Sequence, residues 1–257
     1  MPSFARPNAV ELGERKMNRS VRETAGRMGV RSVFLDFGGT LCRSRADVLP
    51  VFREAARRAG VQLPWEAYLR ANDLCWNELW PEAPRLVGRT PSFPDRVHEL
   101  ALRRIGFDGP IGTLVRYIRE EATSAQRHEP YPESEATLRR LRAIGVPTHV
   151  ISNHVDYLPV ILENLGWSGF FRTVTFTQEV GVLKPDPRVF RFALQRAGQE
   201  PGEALYVGDS WEADYLGARN AGMSAIWLNR TGRPPPGPCQ EIRSLAELAA
   251  LLPGPGP

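Results

Sequence analysis

The sequence holds 257 residues, 42% of them hydrophobic, enough for one large α/β domain or a core domain with an insert. No apolar run reaches the ~18 residues needed to cross a bilayer, so no membrane partner is expected. Of 33 basic and 29 acidic residues, seven and three lie within residues 1–31; the rest balance at 26 each, so no nucleic-acid partner is expected.

Residues 1–30 read as an N-terminal extension, solvated and mobile. They lack an apolar signal-peptide core, and Glu11, Glu14 and Glu23 argue against a transit peptide. The next run, Val33-Phe34-Leu35, is a buried parallel strand that delivers Asp36 to its carboxyl end, where Gly38 and Gly39 let the backbone turn sharply. Residues 47–126 then carry four amphipathic helices, Asp47–Ala59, Trp65–Trp80, Phe93–Ile105 and Ile111–Ala125, with no strand-like run. Of the aromatic residues Trp65, Tyr68, Trp76, Trp80 and Tyr117, most are expected to pack and one to face a ligand.

From residue 127 helices and strands alternate. Glu133–Ile144, Val155–Leu165, Arg188–Ala197 and Trp211–Ala221 are helical; Val146–Ser152, Arg172–Thr177, Ala204–Val207 and Met223–Leu228 are strand-like. That alternation is the signature of an α/β fold with a doubly wound parallel sheet, here interrupted after its first strand by an inserted all-helical segment. The expected division is a core of residues 31–46 and 127–230 and a helical cap of 47–126. A Pro/Gly-rich tail, 231–257, holds one short helix at Leu245–Leu252.

Four polar clusters follow these strands or loops: Asp36 with Thr40, Ser152 with Asn153, Lys184 in Lys184-Pro185, and Asp209 with Asp214. A parallel sheet gathers such ends along one edge, and the group suits a phosphoryl ester. Asp36 and Asp209 can share Mg²⁺, a hard cation that takes carboxylate oxygens and water. Lys184 and Ser152 can hold the phosphoryl oxygens, and Asp36, its charge masked, can attack phosphorus to form an aspartyl-phosphate. Lys16 and Lys184 are the only lysines of the chain, so the lysine at 184 points to a need for a compact ammonium.

In order, Asp36-Phe37-Gly38-Gly39-Thr40-Leu41, Ile151-Ser152-Asn153, Lys184-Pro185 and Gly208-Asp209 through Asp214-Tyr215-Leu216-Gly217-Ala218 resemble the four motifs of the haloacid dehalogenase-like (HAD) superfamily. The resemblance runs from about residue 31 to 230 and implies a Rossmann-like core with a helical cap. It implies Asp36 as nucleophile and Lys184 with Ser152 as phosphoryl-binding residues; Thr40 and Asn153 are grouped with these on the substrate side. It also implies Mg²⁺ held by Asp36, the backbone carbonyl of Gly38 and Asp209, with Asp214 ligating or supporting. A cap lysine that would form a Schiff base in phosphonate-cleaving relatives has no counterpart in 47–126.

Gly38 departs from the pattern, because phosphatases of the family usually carry a second Asp there as general acid and base. That help is worth about 10²–10⁴-fold. The leading expectation is a Mg²⁺-dependent phosphohydrolase of a small phosphorylated metabolite, favouring acyl, anomeric or aryl leaving groups or served by a substitute acid such as His154, Asp156 or a cap side chain. A catalytically weak phosphate-binding or regulatory protein is the alternative, and a haloacid dehalogenase the third. Arg43 and Arg45, after the first motif, read as exposed linker arginines. Cys42, Cys75 and Cys239 fit neither a disulfide framework nor a zinc site, which points to a cytoplasmic location. Oligomeric state is not legible.

Overall fold

The computed structural model describes residues 29–43 and 48–252. The expected extension, apart from Gly29 and Val30, lies outside these residues, as do Arg45 and the last five residues of the tail. Six strands, β1 (Ser32–Leu35), β2 (Thr148–Ser152), β3 (Thr173–Phe176), β4 (Ala204–Gly208), β5 (Ser224–Leu228) and β6 (Glu241–Ile242), pair in parallel. Their order is β3-β2-β1-β4-β5-β6. The chain leaves β1 toward β2 on one side and returns to β4 on the other, so the carboxyl end of β1 is the switch point where such sheets leave a crevice.

Every residue of β1, β2, β4 and β5 is buried, as a sheet covered on both faces requires. Alternate side chains enter two separate cores. Val33, Leu35, Val150, Val207 and Ile226 pack on one face with α5 (Ser134–Ala143), α6 (Leu158–Asn164) and α9 (Leu245–Leu251). Phe34, Ile151, Tyr206 and Ala225 pack on the other with α7 (Pro187–Ala197) and α8 (Gly217–Asn220).

Between β1 and α5 lie α1 (Leu49–Ala59), α2 (Trp65–Leu79), α3 (Phe93–Arg104) and α4 (Ile111–Thr123). In this helical block α1 packs on α4 and α2 on α3. Gly60, at φ 67°, ends α1 in a left-handed turn, and a Ser92–Asp95 capping box opens α3. The block's apolar face is continuous with the first sheet core. Hydrogen bonds that tie the block to the core include Tyr157 Oη to Asp95 Oδ1 (2.9 Å), Gln178 Nε2 to the Ala83 carbonyl (3.0 Å), Trp80 Nε1 to the Gly181 carbonyl (3.2 Å) and Asn164 Nδ2 to the Thr123 carbonyl (2.8 Å).

Two local features differ from the sequence reading. Residues Trp211–Leu216 form a wide π turn ahead of α8 rather than one α-helix, the Ser210 carbonyl accepting from the N–H groups of both Asp214 and Tyr215 (3.0 and 3.1 Å). And β6 extends the sheet within the stretch expected to hold only a short helix; two residues are too few to leave an alternation pattern.

Candidate active site

The backbone of β1 continues past its last residue, the Asp36 N–H donating to the Val207 carbonyl at 3.0 Å, and this fixes the carboxylate between β2 and β4. After it the chain turns tightly, with the N–H groups of Leu41 and Cys42 both donating to the Phe37 carbonyl. Gly39 sits at φ 82°, and a Cβ there would lie 2.3 Å from Asp209 Oδ2, so only glycine lets the loop approach that carboxylate. Gly208 does the same on the other side, where a Cβ would lie 2.3 Å from the Asp214 carboxyl carbon.

Lys184 stands at the centre. Its Nζ lies 2.7 Å from Asp36 Oδ1, 2.6 Å from Asp214 Oδ1, 2.9 Å from Tyr206 Oη and 3.2 Å from the Ile151 carbonyl. Asp214 takes two further donors, Tyr206 Oη at its Oδ1 (3.0 Å) and the Ser210 N–H at its Oδ2 (2.9 Å). Asn153 brackets Lys184 from behind, its Oδ1 accepting the Lys184 N–H at 2.8 Å. Thr40 is fully buried and donates toward Asp209 Oδ1 at 3.4 Å. Ser152 ends β2 and lies on the wall of the adjoining cavity, together with Asn153 and Gly38.

Charge is out of balance here. One oxygen each of Asp36, Asp209 and Asp214 fall within 4.8 Å of one another, against the single ammonium of Lys184. Burial, then the neighbouring Asp214 and Asp209, outweigh Lys184 and push the Asp36 carboxyl up to about 7. Asp209 is raised too, by burial and by Asp214. Burial pulls Lys184 downward, but Asp214 and Asp36 overcome it and hold the amine above its ordinary range. Three carboxylates around one ammonium leave an excess that a divalent cation would cancel, and their all-oxygen donor set suits Mg²⁺. Asp36, Asp209 and Asp214 each bring an oxygen to this cluster, Asp214 already accepting from Lys184, Tyr206 and the Ser210 N–H.

The cavity, about 660 Å³, opens between the strand ends and the helical block. His154 lines it, but burial lowers its pKa to about 4 and its Nδ1 accepts the Val155 N–H, so at neutral pH the ring is an uncharged one. Asp156 is not among the lining residues. Trp76 is the one of the five singled-out aromatics that faces the cavity, while Tyr68 is fully buried against His98. Arg43 also lines it, paired with Glu129 at 2.8 Å.

Two site residues left no clear mark in the sequence. Tyr206 looks like an ordinary β4 core residue; the signal was a phenol two residues before Gly208-Asp209. Arg230 lies beyond β5 and clamps the Asp36 loop, donating to the carbonyls of Gly39 (3.2 Å) and Thr40 (2.8 Å) while Glu133 holds its third nitrogen at 2.6 Å. Its guanidinium lies 3.5 Å from the centre of the Tyr131 ring.

Residues 30–222 match the model of the haloacid dehalogenase-like hydrolases. The chain belongs to this family. It is 33% identical over 203 residues to a glyceraldehyde 3-phosphate phosphatase of Methanopyrus kandleri, covering 78% of this chain and 84% of the relative. It is 34% identical over 231 residues to a phosphoserine phosphatase of Thermus thermophilus, covering 87% and 86%. Among solved structures, a HAD phosphatase from Thermococcus onnurineus aligns with TM-score 0.59 and 26% identity over 88% of this chain and 99% of that one. A 2-haloacid dehalogenase of Pseudomonas syringae aligns with TM-score 0.68 and 24% identity, over 86% and 97%, and shares the fold. The parallel sheet with helices on both faces is the HAD core, and the protein is a hydrolase. No described helix is long and apolar enough to cross a membrane.

Proposed function

We propose that this HAD hydrolase is a Mg²⁺-dependent phosphatase of a small phosphorylated substrate, with Asp36 as nucleophile. The observation that carries the reading is the placement of Asp36, Asp209 and Asp214 around Lys184 at the ends of β1 and β4. Mg²⁺ bound by Asp36, Asp209 and the Gly38 carbonyl would neutralise the phosphoryl oxygens and keep Asp36 ionised. Asp36 attacks phosphorus through its free oxygen, and Lys184 with Ser152 holds the transferring group. Asp214, Tyr206 and Asn153 position Lys184, and Thr40 positions Asp209. Water then hydrolyses the aspartyl-phosphate. The helical block serves as a cap over this centre, residues 47–126 against a core of 31–46 and 127–230.

Two of the relatives carry phosphatase names, which supports the phosphoryl reading over dehalogenation, as does the acidic pair Asp209 and Asp214. Gly38 favours a second reading, a phosphate-binding protein of slow turnover. The test is phosphate release from p-nitrophenyl phosphate and a metabolite panel, with Mg²⁺ and with EDTA, by wild type and Asp36→Asn. Metal-dependent release that Asp36→Asn abolishes establishes the phosphatase. Silence from the wild type, with a Mg²⁺ and BeF₃⁻ rise in Tm, establishes the second reading.

A further inference from the structure

The cavity beside the cluster is larger than a three-carbon phosphate fills. At about 660 Å³ it falls in the range that encloses whole organic ligands, and it begins at Gly38, Ser152 and Asn153, where a phosphoryl group would sit. Its walls are rich in rings: Phe37, Phe52, Trp76 and Tyr157, with Val51 and Ile118 beside them. Apart from Ser152 at its phosphoryl end and the exposed Asp73, most of the polar side chains along it are engaged elsewhere. His98 bonds Tyr68 (3.0 Å), Arg43 bonds Glu129 (2.8 Å), Arg127 bonds Glu121 (2.7 Å) and His128 Nε2 bonds the Ala122 carbonyl (2.9 Å). A sugar or polyol placed here would exchange water for few partners, whereas a flat apolar ring would meet aromatic faces and edges.

Gly38 points the same way independently. The position from which a family acid would protonate the leaving oxygen carries no side chain, and His154 is an uncharged ring at neutral pH. A phenol ionises near ~10, whereas an aliphatic alcohol resembles water at roughly 16. A phenolate departs without the missing proton.

We propose that the substrate is a phosphate monoester of a phenol, its ring lodged against Phe37, Phe52 and Trp76. This rests on the phosphatase reading above. The Asp36 carboxylate forms a bond to phosphorus as the phosphorus–oxygen bond to the aryl group breaks, its electron pair leaving on the phenolate, which takes a proton from water. Water then attacks phosphorus, releasing inorganic phosphate and restoring the Asp36 carboxylate.

The test is kcat/KM with Mg²⁺ for phenyl phosphate, acetyl phosphate, phosphoserine and glycerol 3-phosphate. Phenyl phosphate is expected to exceed the two aliphatic esters by about 100-fold or more. Trp76→Leu is expected to lower the phenyl-to-acetyl phosphate ratio by about tenfold. The aliphatic esters turning over as fast as phenyl phosphate in the wild type would overturn the assignment without any variant having to fold. So would a phenyl-to-acetyl ratio untouched by Trp76→Leu. If acetyl phosphate and every ester are inert, it is the phosphatase reading that fails, and the leaving-group assignment with it.

Discussion

At position 38 a single missing side chain sets the chemistry available. Gly38 borders the cavity, where a carboxyl could reach a leaving group, whereas its neighbour Gly39 is fixed by φ 82° and by Asp209. Gly38→Asp is therefore expected to speed hydrolysis of aliphatic phosphates by about 10²–10⁴-fold and of aryl phosphates far less, read from kcat on both classes. Arg230 acts through the loop it clamps. Arg230→Met leaves the Gly39 and Thr40 carbonyls without their donors and is expected to lower kcat by about 10–100-fold with the sheet intact by circular dichroism. Asp156 gives a pH signature. Burial, then Asp95, raises its pKa to about 6, and its Oδ1 is buried without a partner among the described residues. The folded state thus binds a proton more tightly than the unfolded chain. Stability from this group is lost as pH rises from about 4 to about 6 and stays lost above. Asp156→Asn should raise Tm at pH 8 and leave it unchanged at pH 4.

At the scale of elements, the hydrogen bond of Tyr157 to Asp95 ties the segment after β2 to the start of α3. Asp95 is 2% exposed and also takes Arg119 at 2.6 Å, so losing the phenol leaves a buried oxygen short of a partner. Tyr157→Phe is expected to destabilise by about 1–3 kcal/mol, or about 2–4 °C in Tm per kcal/mol, by thermal melt. The apolar strands, the four helices after β1 and the strand-end positions of Asp36, Ser152 and Asp209 were legible because each is a local pattern: a run, a 3.6-residue period, a polar residue after an apolar strand. What stayed hidden is non-local. The sequence singles out Lys184 but not its phenol partner Tyr206, which lies in a strand that looks wholly like core. The role of Arg230 exists only because β5 ends beside a loop some 190 residues earlier. Thr40 and Asn153 were legible as polar residues beside the site, but the direction of their side chains, toward Asp209 and the Lys184 backbone, is set by packing.

Across the whole molecule, the stretch that reads as a Pro/Gly-rich tail closes the fold. β6 extends the sheet beyond β5, and Ile242, Leu245, Leu248, Leu251 and Leu252 are all buried in the first sheet core. At about 1.5–3 kcal/mol for each fully buried side chain, their burial is worth roughly 7–15 kcal/mol as an upper bound. That is comparable to the entire stability of a typical domain, about 5–15 kcal/mol. A chain truncated after residue 238 is therefore expected to lose its cooperative thermal transition and bind a hydrophobic dye.

Lys184 has a further consequence for handling the protein. Its side chain is 3% exposed and held as an ammonium between two carboxylates, so amine-directed reagents meet neither an accessible nor a free-base nitrogen there. Lys16, the only other lysine, lies outside the described residues, so labelling through lysine is expected to leave Lys184 unmodified. An acylated Lys184, found by peptide mapping, would then be a time-stamp of the moments when the molecule had come open.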